Sequence, residues 1–309
     1  MRIPICFAAD AAYARPLAVA ISSILHSRAE DDELAFFIVD GGLRDADKAI
    51  LQSMVREGGA SLSFLSLESE AFSDAPIQTV EGEESHISAA AYYRLRLPSL
   101  LPEENRILYL DCDLVCRASL APLIAVDMEG DWVRGVQDID AARHRRRLGL
   151  SRYVCSGVLL LDLRAWREHD VERKCLSFLR DSPERIVLHD QDVINVVCRE
   201  HLGYLDRTWN AQACATRQGR MSGFNELAKT AAVVHFIGSR KPWQAGCTHP
   251  FRSEYFRCLR HTPYRHSVWA WRLECLRWAF WHSKYSHGRR RWYFCGVRIW
   301  QKSGTAALG

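Results

Sequence analysis

RILYLDCDLV, residues 106–115, decides how the rest of this 309-residue chain is read. Ile107, Leu108, Tyr109 and Leu110 form an apolar run of strand length, which breaks into Asp111, Cys112 and Asp113. An apolar strand ending in two carboxylates delivers them to the C-terminal edge of a sheet, where open α/β sheets bind ligands. Residues i and i+2 of an extended chain point the same way, so the two carboxylates can converge on one cation. Like charges this close are costly unless something positive lies between them. A hard divalent ion, Mn²⁺ or Mg²⁺, suits oxygen ligands and keeps positions open for a substrate's phosphates. The same triplet also occurs in surface loops, so it needs company elsewhere in the chain.

Upstream, residues 2–9 read as a buried strand ending at Asp10, and 13–26 as a helix with Leu17, Ala20, Ile21, Ile24 and Leu25 at helical spacing. Strand, helix and strand follow at 34–39, 45–56 and 60–67. This alternation predicts an α/β fold with a mostly parallel sheet and helices on both faces. Residues 68–84 read as an acidic loop and 88–97 as helical. Downstream, 120–124 reads as a short helical piece and 132–136 as a strand stopping at Gln137 and Asp138. The basic run 143–147 reads as a solvated loop face. No aromatic residues interleave with it, so no nucleic-acid site is expected there. Ser156 and Gly157 precede a buried strand, 165–180 reads as one amphipathic helix, and 189–198 as a helix opening His-Asp-Gln-Asp. A late strand, 231–236, carries His235.

The composition, 48% hydrophobic and 25% charged, is that of a globular protein. Eleven cysteines without a Cys-x-x-Cys pair suggest neither a zinc nor a disulfide framework, and a reducing cytoplasm suits them. The start MRIPICFAAD lacks an apolar signal-peptide core, and no run is long enough to span a membrane.

Strand after strand ends in a carboxylate or histidine: Asp10, Asp40, Asp111 with Asp113, Asp138 and His235. Asp40 precedes Gly41-Gly42 and reads as a turn residue. His235 suits a third metal ligand; taken alone, it reads rather as a hydrogen-bonded histidine at a strand end. The Gly238-Ser239-Arg240-Lys241 that follows favours the ligand role. Glycine permits close backbone approach and lysine supplies a point charge for a diphosphate. No Walker-type phosphate loop is present.

Five segments in order carry a resemblance: FAADAAYARPL from Phe7, ISAAAYYRLRLPSLL running on to ILYLDCDLVC, SGVLLLDLRAWREHD, HDQDVIN, and VVHFIGSRKPW. Together they resemble the retaining glycosyltransferases of family eight, which have the GT-A fold and use a nucleotide-sugar donor with Mn²⁺. Within that family the chain looks similar to bacterial lipooligosaccharide and lipopolysaccharide galactosyl- or glucosyltransferases.

The resemblance implies roles. Asp111, Asp113 and His235 would hold the metal. Ala8, Asp10 and Tyr13 would line the uridine pocket of a UDP-sugar, with Cys112 beside them. Gly238 and Lys241 would contact the diphosphate. Arg94, Asp190 and Gln191 would surround the donor sugar, Gln191 lying on its far face. Asp190 would stabilise positive charge or cap its helix, or both. His86, Asp138, Cys155 and Ser156 would lie toward the acceptor or the sugar. Two positions depart from the family pattern. Ala12 stands where asparagine is usual, and Cys155-Ser156-Gly157 stands for Asn-Ala-Gly; the missing asparagine would touch the donor sugar.

Two other classes fit parts of the pattern. A metal-dependent sugar nucleotidyltransferase would share the carboxylate pair, but Ala8–Ala12 is not the glycine-rich loop it needs. A catalytically silent membrane-docking protein would tolerate the two departures.

The chain divides by composition into a nucleotide-sugar domain over 1–250 and a basic, aromatic C-terminal region over 251–309. From Arg252 onward the acids are Glu254 and Glu274, among many Arg and Trp. A helix over 266–283, with Trp269, Leu273, Leu276 and Phe280 as its apolar stripe, suits an anionic membrane surface. The expected protein is cytoplasmic and held peripherally at the inner membrane beside a glycolipid or oligosaccharide acceptor. The alternative for the same helix is packing on the catalytic domain.

Overall fold

The computed structural model describes residues 1–67, 72, 89–213, 227, 229–238, 240–245, 247, 249–286, 289–294 and 297–302. The first half alternates as its apolar periods require: β1 (Arg2–Ala9), α1 (Ala14–Ser27), β2 (Glu33–Asp40), α2 (Asp45–Glu57) and β3 (Ser61–Ser66). A 3-10 segment, Ala89–Arg96, runs into α3 (Leu97–Leu100), then β4 (Arg106–Leu110) and β5 (Leu114–Cys116). Next come α4 (Ala121–Ile124), β6 (Val133–Gln137), α5 (Ala141–Leu148) and β7 (Val154–Asp162). They are followed by α6 (Leu163–Glu168), α7 (Val171–Asp181), α8 (His189–Val197), β8 (Leu202–Tyr204), β9 (Ala211–Ala213) and β10 (Val233–Phe236).

Seven strands form one sheet in the order β3-β2-β1-β4-β7-β6-β8. β1 pairs parallel with both β2 and β4, so strand order reverses there. That switch point opens a crevice at the carboxyl ends of β1 and β4, where Asp10 and Asp111 stand. β7 runs antiparallel between β4 and β6 and starts at the same edge. A smaller sheet, β5-β10-β9, sets His235 opposite Leu114. The fold is therefore the mostly parallel α/β sheet expected.

β7 is buried along its whole length. Its alternate side chains feed two cores: Val158 and Leu160 join the layer of α1, while Leu159 and Leu161 join the layer of α6 to α8.

Three readings need correction. The basic run 143–147 is not a loop but lies inside α5. Ala141, His144 and Leu148 recur at helical spacing and are buried against Tyr153 and Val196, and Gly149 closes the helix in the left-handed conformation at φ 70°. The single helix over 165–180 is two, α6 and α7, separated at Asp170, whose φ is 53°. Aspartate tolerates that conformation better than most residues.

The C-terminal region is only partly helical. α9 (Arg252–Leu259) packs on α1, and α10 (Ser267–Phe280) follows a 3-10 turn over Pro263–His266. The chain then turns into three antiparallel strands, β11 (Trp281–Ser286), β12 (Arg289–Phe294) and β13 (Val297–Lys302). Aromatic residues favour strands as readily as an apolar stripe favours a helix.

The central role of β7 gives a stability prediction. Leu160→Ala should lower unfolding free energy by about 3 kcal/mol, the usual cost of a buried leucine cavity. Urea denaturation should show a lower midpoint with an unchanged slope.

Candidate active site

The site grows from three strand ends. β4 delivers Asp111, the turn into β5 delivers Asp113, and β10 delivers His235. His235 Nε2 stands 3.3 Å from Asp113 Oδ1 and 3.7 Å from Asp111 Oδ2. One ligand atom from each residue lies within 4.8 Å of the others. The backbone locks this arrangement: Asp111 N donates to Gly157 O at 2.9 Å, and Phe236 N to Asp113 O at 2.9 Å. Gly157 is required by close approach, because a Cβ there would sit 2.1 Å from His235 Cε1 and 2.9 Å from Asp111 Oδ2. Two carboxylates and an imidazole, held by a cradle that excludes even a methyl group, fit a divalent cation.

Positive groups surround the carboxylates. Lys241 Nζ pairs with Asp113 Oδ2 and donates to Phe236 O at 2.8 Å. Burial alone would raise the Asp113 pKa, but Lys241 and His235 outweigh it and hold the carboxyl well below its ordinary range. Arg94, 4% exposed, donates to Asp111 Oδ1 at 2.9 Å and to Ser156 O at 2.6 Å. Its guanidinium lies 4.0 Å from the Tyr109 ring centroid and 3.1 Å from Asp190 Oδ2.

Asp190 is buried, and burial is the main reason its pKa rises from the ordinary 3.8 to about 6; Arg94 lowers it and Asp111 raises it. It does not cap α8. Asp192 instead ties the segment leading into α8, its Oδ2 accepting from Val187 N at 2.7 Å and Leu188 N at 2.8 Å.

Gln191 is fixed at both ends of its amide. Oε1 accepts from Ser156 N at 3.0 Å, while Nε2 donates to Asp138 Oδ2 at 3.2 Å and Tyr153 Oη at 3.3 Å. The orientation follows from proton counting. Burial would raise the Asp192 pKa, but Arg147 and three further hydrogen bonds lower it overall, so Asp192 stays ionised and only accepts. Tyr153 must therefore donate to it, at 2.5 Å, leaving its oxygen to accept from Gln191. Asn195 braces the arrangement from α8, bonding Val154 N, Val154 O and Gln191 O.

The remaining expected residues fall around this centre. Asp10 Oδ1 accepts from Ala12 N and Tyr13 N. The Tyr13 ring meets Trp243 edge-on at 6.0 Å. The Cys112 thiol donates to Ala8 O at 3.3 Å. Gly238 takes φ 82° beyond β10. Asp138 touches Gln191, and burial raises its pKa. Cys155 is buried behind His235, its sulfur 4.0 Å from Nδ1. His86 lies outside the described residues. Asp40 is a turn residue as expected, accepting from Gly42 N and Leu43 N.

Sequence reading missed Asn210, Tyr153, Arg147 and Asn195. Asn210 Oδ1 lies 3.1 Å from His235 Nδ1. None of the four belongs to a motif; they meet the site only through the fold.

The sequence profile of Glycosyl transferase family 8 matches residues 4–247. The chain belongs to that family. General stress protein A of Bacillus subtilis (strain 168) is 31% identical over 271 residues, spanning 82% of this chain and 92% of the relative. The lipopolysaccharide 1,2-glucosyltransferase of Escherichia coli (strain K12) is 24% identical over 272 residues, spanning 84% and 78%. The crystal structure of galactosyltransferase LgtC with donor and acceptor sugar analogs matches at a TM-score of 0.74 and 27% identity, covering 85% of this chain and 96% of that one. This family 8 chain is thus a glycosyltransferase with the GT-A-like fold, related to lipopolysaccharide sugar transferases.

Asp190 gives a test with a defined sign. Below about pH 4 it is neutral folded and unfolded; between about 4 and 6 only the unfolded chain releases the proton, so stability falls as pH rises. At about 1.4 kcal/mol per pH unit the loss above pH 6 reaches up to about 3 kcal/mol. Asp190→Asn should melt higher than wild type at pH 8, with the difference closing toward pH 4. Its catalytic rate should fall. A variant melting lower at pH 8 would contradict this reading of the burial.

Proposed function

We propose that this glycosyltransferase is metal-dependent and retaining, moving galactose or glucose from a UDP-sugar to a lipopolysaccharide- or lipooligosaccharide-type acceptor. The observation that carries the proposal is the convergence of Asp111, Asp113 and His235 beside Lys241 at the sheet's switch point. Oxygen and imidazole donors suit Mn²⁺ or Mg²⁺. When bound, such an ion supplies Lewis-acid neutralisation of a diphosphate leaving group.

The chain's own residues supply the rest. The Lys241 ammonium is buried in the same cluster and adds positive charge where the leaving oxygen develops its own. Departure of the diphosphate leaves an oxocarbenium-like sugar. Gln191 presents an amide held at both ends, a poor nucleophile but a fixed dipole. This favours attack from the leaving-group face, with Gln191 and ionised Asp190 stabilising positive charge on the other. Arg94 holds Asp190 and Asp111 in register across the pocket.

The acceptor class rests on the similarity to the lipopolysaccharide 1,2-glucosyltransferase of Escherichia coli. The exposed apolar ridge of α10, Trp269, Leu273 and Leu276, supports docking on an anionic membrane surface where such acceptors lie. Among the described residues no helix is long and apolar enough to cross a membrane.

Purified protein with a panel of UDP-hexoses and Mn²⁺ tests the donor and the metal together. Excess chelator should abolish transfer and Mn²⁺ should restore it. Asp113→Asn should slow transfer by about two orders of magnitude and weaken Mn²⁺ binding measured directly. Undiminished transfer in chelator refutes the metal role, and a β-linked product from an α-linked donor refutes retention.

Gln191 is tested by a double-mutant cycle. Tyr153→Phe and Gln191→Ala should each lower kcat while sparing donor KM. If Tyr153 acts by orienting Gln191, adding Tyr153→Phe to Gln191→Ala should cost almost nothing more. Additive losses would separate the two residues.

A further inference from the structure

We propose that the cleft between α9 and α10 seats the phosphate of an anionic lipid headgroup. The proposal rests on the membrane docking given above and assigns it a specific binding site. The cleft is a cavity of about 340 Å³, reached by Arg252 and Arg260 from α9 and by Arg272 from α10, with His249 at its head. Among the described residues no acidic one lines it. Among the described residues none of these three arginines has a carboxylate partner, while Glu254 on the same helix is taken by Arg257 at 2.7 Å. Cations that line one cleft without a counter-charge favour an anion there; Arg252 also donates to Cys247 O at 2.5 Å.

A second observation points the same way. Trp271 lines the cleft, packed on Phe256 with ring centroids 4.2 Å apart, and among the described residues its buried indole N–H finds no acceptor. A buried donor left unpaired is costly, and a phosphate oxygen in the cleft is an acceptor of the right kind. Arginine forks match phosphate geometry.

The lipid source follows from what adjoins the cleft. Trp269, Leu273 and Leu276 are 67%, 59% and 58% exposed. At 3.6 residues per turn they form one stripe of α10, about a third of a turn from the stripe of Val268, Trp271 and Arg272 that lines the cleft. Arg272 lies between the two, its guanidinium 5.0 Å from the Trp269 ring centroid. With the apolar ridge at the acyl boundary, the cleft stands at headgroup depth. A site for a soluble anion gives no reason for that ridge.

The test is co-sedimentation of the full chain with phosphatidylcholine vesicles, with and without phosphatidylglycerol. Arg260→Gln with Arg272→Gln removes two charges from the cleft. Arg265→Gln with Arg277→Gln removes two exposed charges outside it. Long-range attraction treats both pairs alike at about the same cost per charge. The cleft pair should therefore weaken binding to phosphatidylglycerol vesicles about tenfold more than the outer pair. UDP-sugar hydrolysis should persist in both double variants, which reports that they fold. Equal losses overturn the cleft and leave membrane docking standing. Wild type that ignores phosphatidylglycerol overturns docking and the cleft together. Displacement from vesicles by inorganic phosphate, with salt matched, makes the cleft a soluble-phosphate site and overturns the lipid assignment.

Discussion

Two carboxylates separated by one residue cannot share a sheet edge without positive charge between and around them, and much of the structure answers that need. Lys241 and Arg94 divide the pair, one on Asp113 and one on Asp111. His235 faces both. Each partner comes from a different element, so the late strand β10, the loop after it and the 3-10 turn before α3 are all drawn to the ends of β4 and β7. Gly157 makes the approach possible, because any side chain there would occupy the space of the imidazole and of Asp111. An ion held by this set would therefore bind residues already arranged by one another, with little left to order.

The same charges reach Asp190 through Arg94. Asp190 is buried enough to hold its proton to about pH 6, so near neutrality the fold carries an ionised group that it would be more stable without. Such a cost is characteristic of sites shaped for chemistry. Gln191 shows a related economy by another route. Its orientation depends on the ionised state of Asp192, passed on by the Tyr153 hydroxyl. Arg147 sets that state from the rim of α5. A basic run that looks like surface decoration thus ends in a contact that, through Asp192 and Tyr153, orients the Gln191 amide.

The fold's frame was legible because β1 to β4 announce themselves by apolar runs, and strand ends by single carboxylates. Asp111, Asp113 and His235 were legible for the same reason: each interrupts a buried strand where only a functional or capped polar residue survives. Arg147, Tyr153, Asn195 and Asn210 were not legible, because a polar residue in a helix or loop carries no mark of its partner until distant strands bring the two together. The division at Asp170 left no glycine or proline to mark it; one backbone angle separates α6 from α7. The turn from α10 into β11 was hidden differently. Trp, Tyr and Arg in alternation satisfy both a helical stripe and a pleated pair, and local pattern alone does not choose.

The departure at Cys155 illustrates how position outranks motif. Read as a motif, the loss of asparagine there removes a group from the donor pocket. In the fold, Cys155 is buried behind the imidazole of His235, and Asn210 bonds the same nitrogen. A thiol 4.0 Å away is a weak partner beside an amide oxygen at 3.1 Å. With Nδ1–H committed to Asn210, the imidazole keeps Nε2 toward the two carboxylates, whether that atom carries a proton or a lone pair. The substitution therefore leaves Asn210 as the dominant orienting contact on His235. What the cysteine changes in this chain is the packing behind a metal-ligand candidate, and the aim of that ligand is secured by Asn210 at the entry to β9.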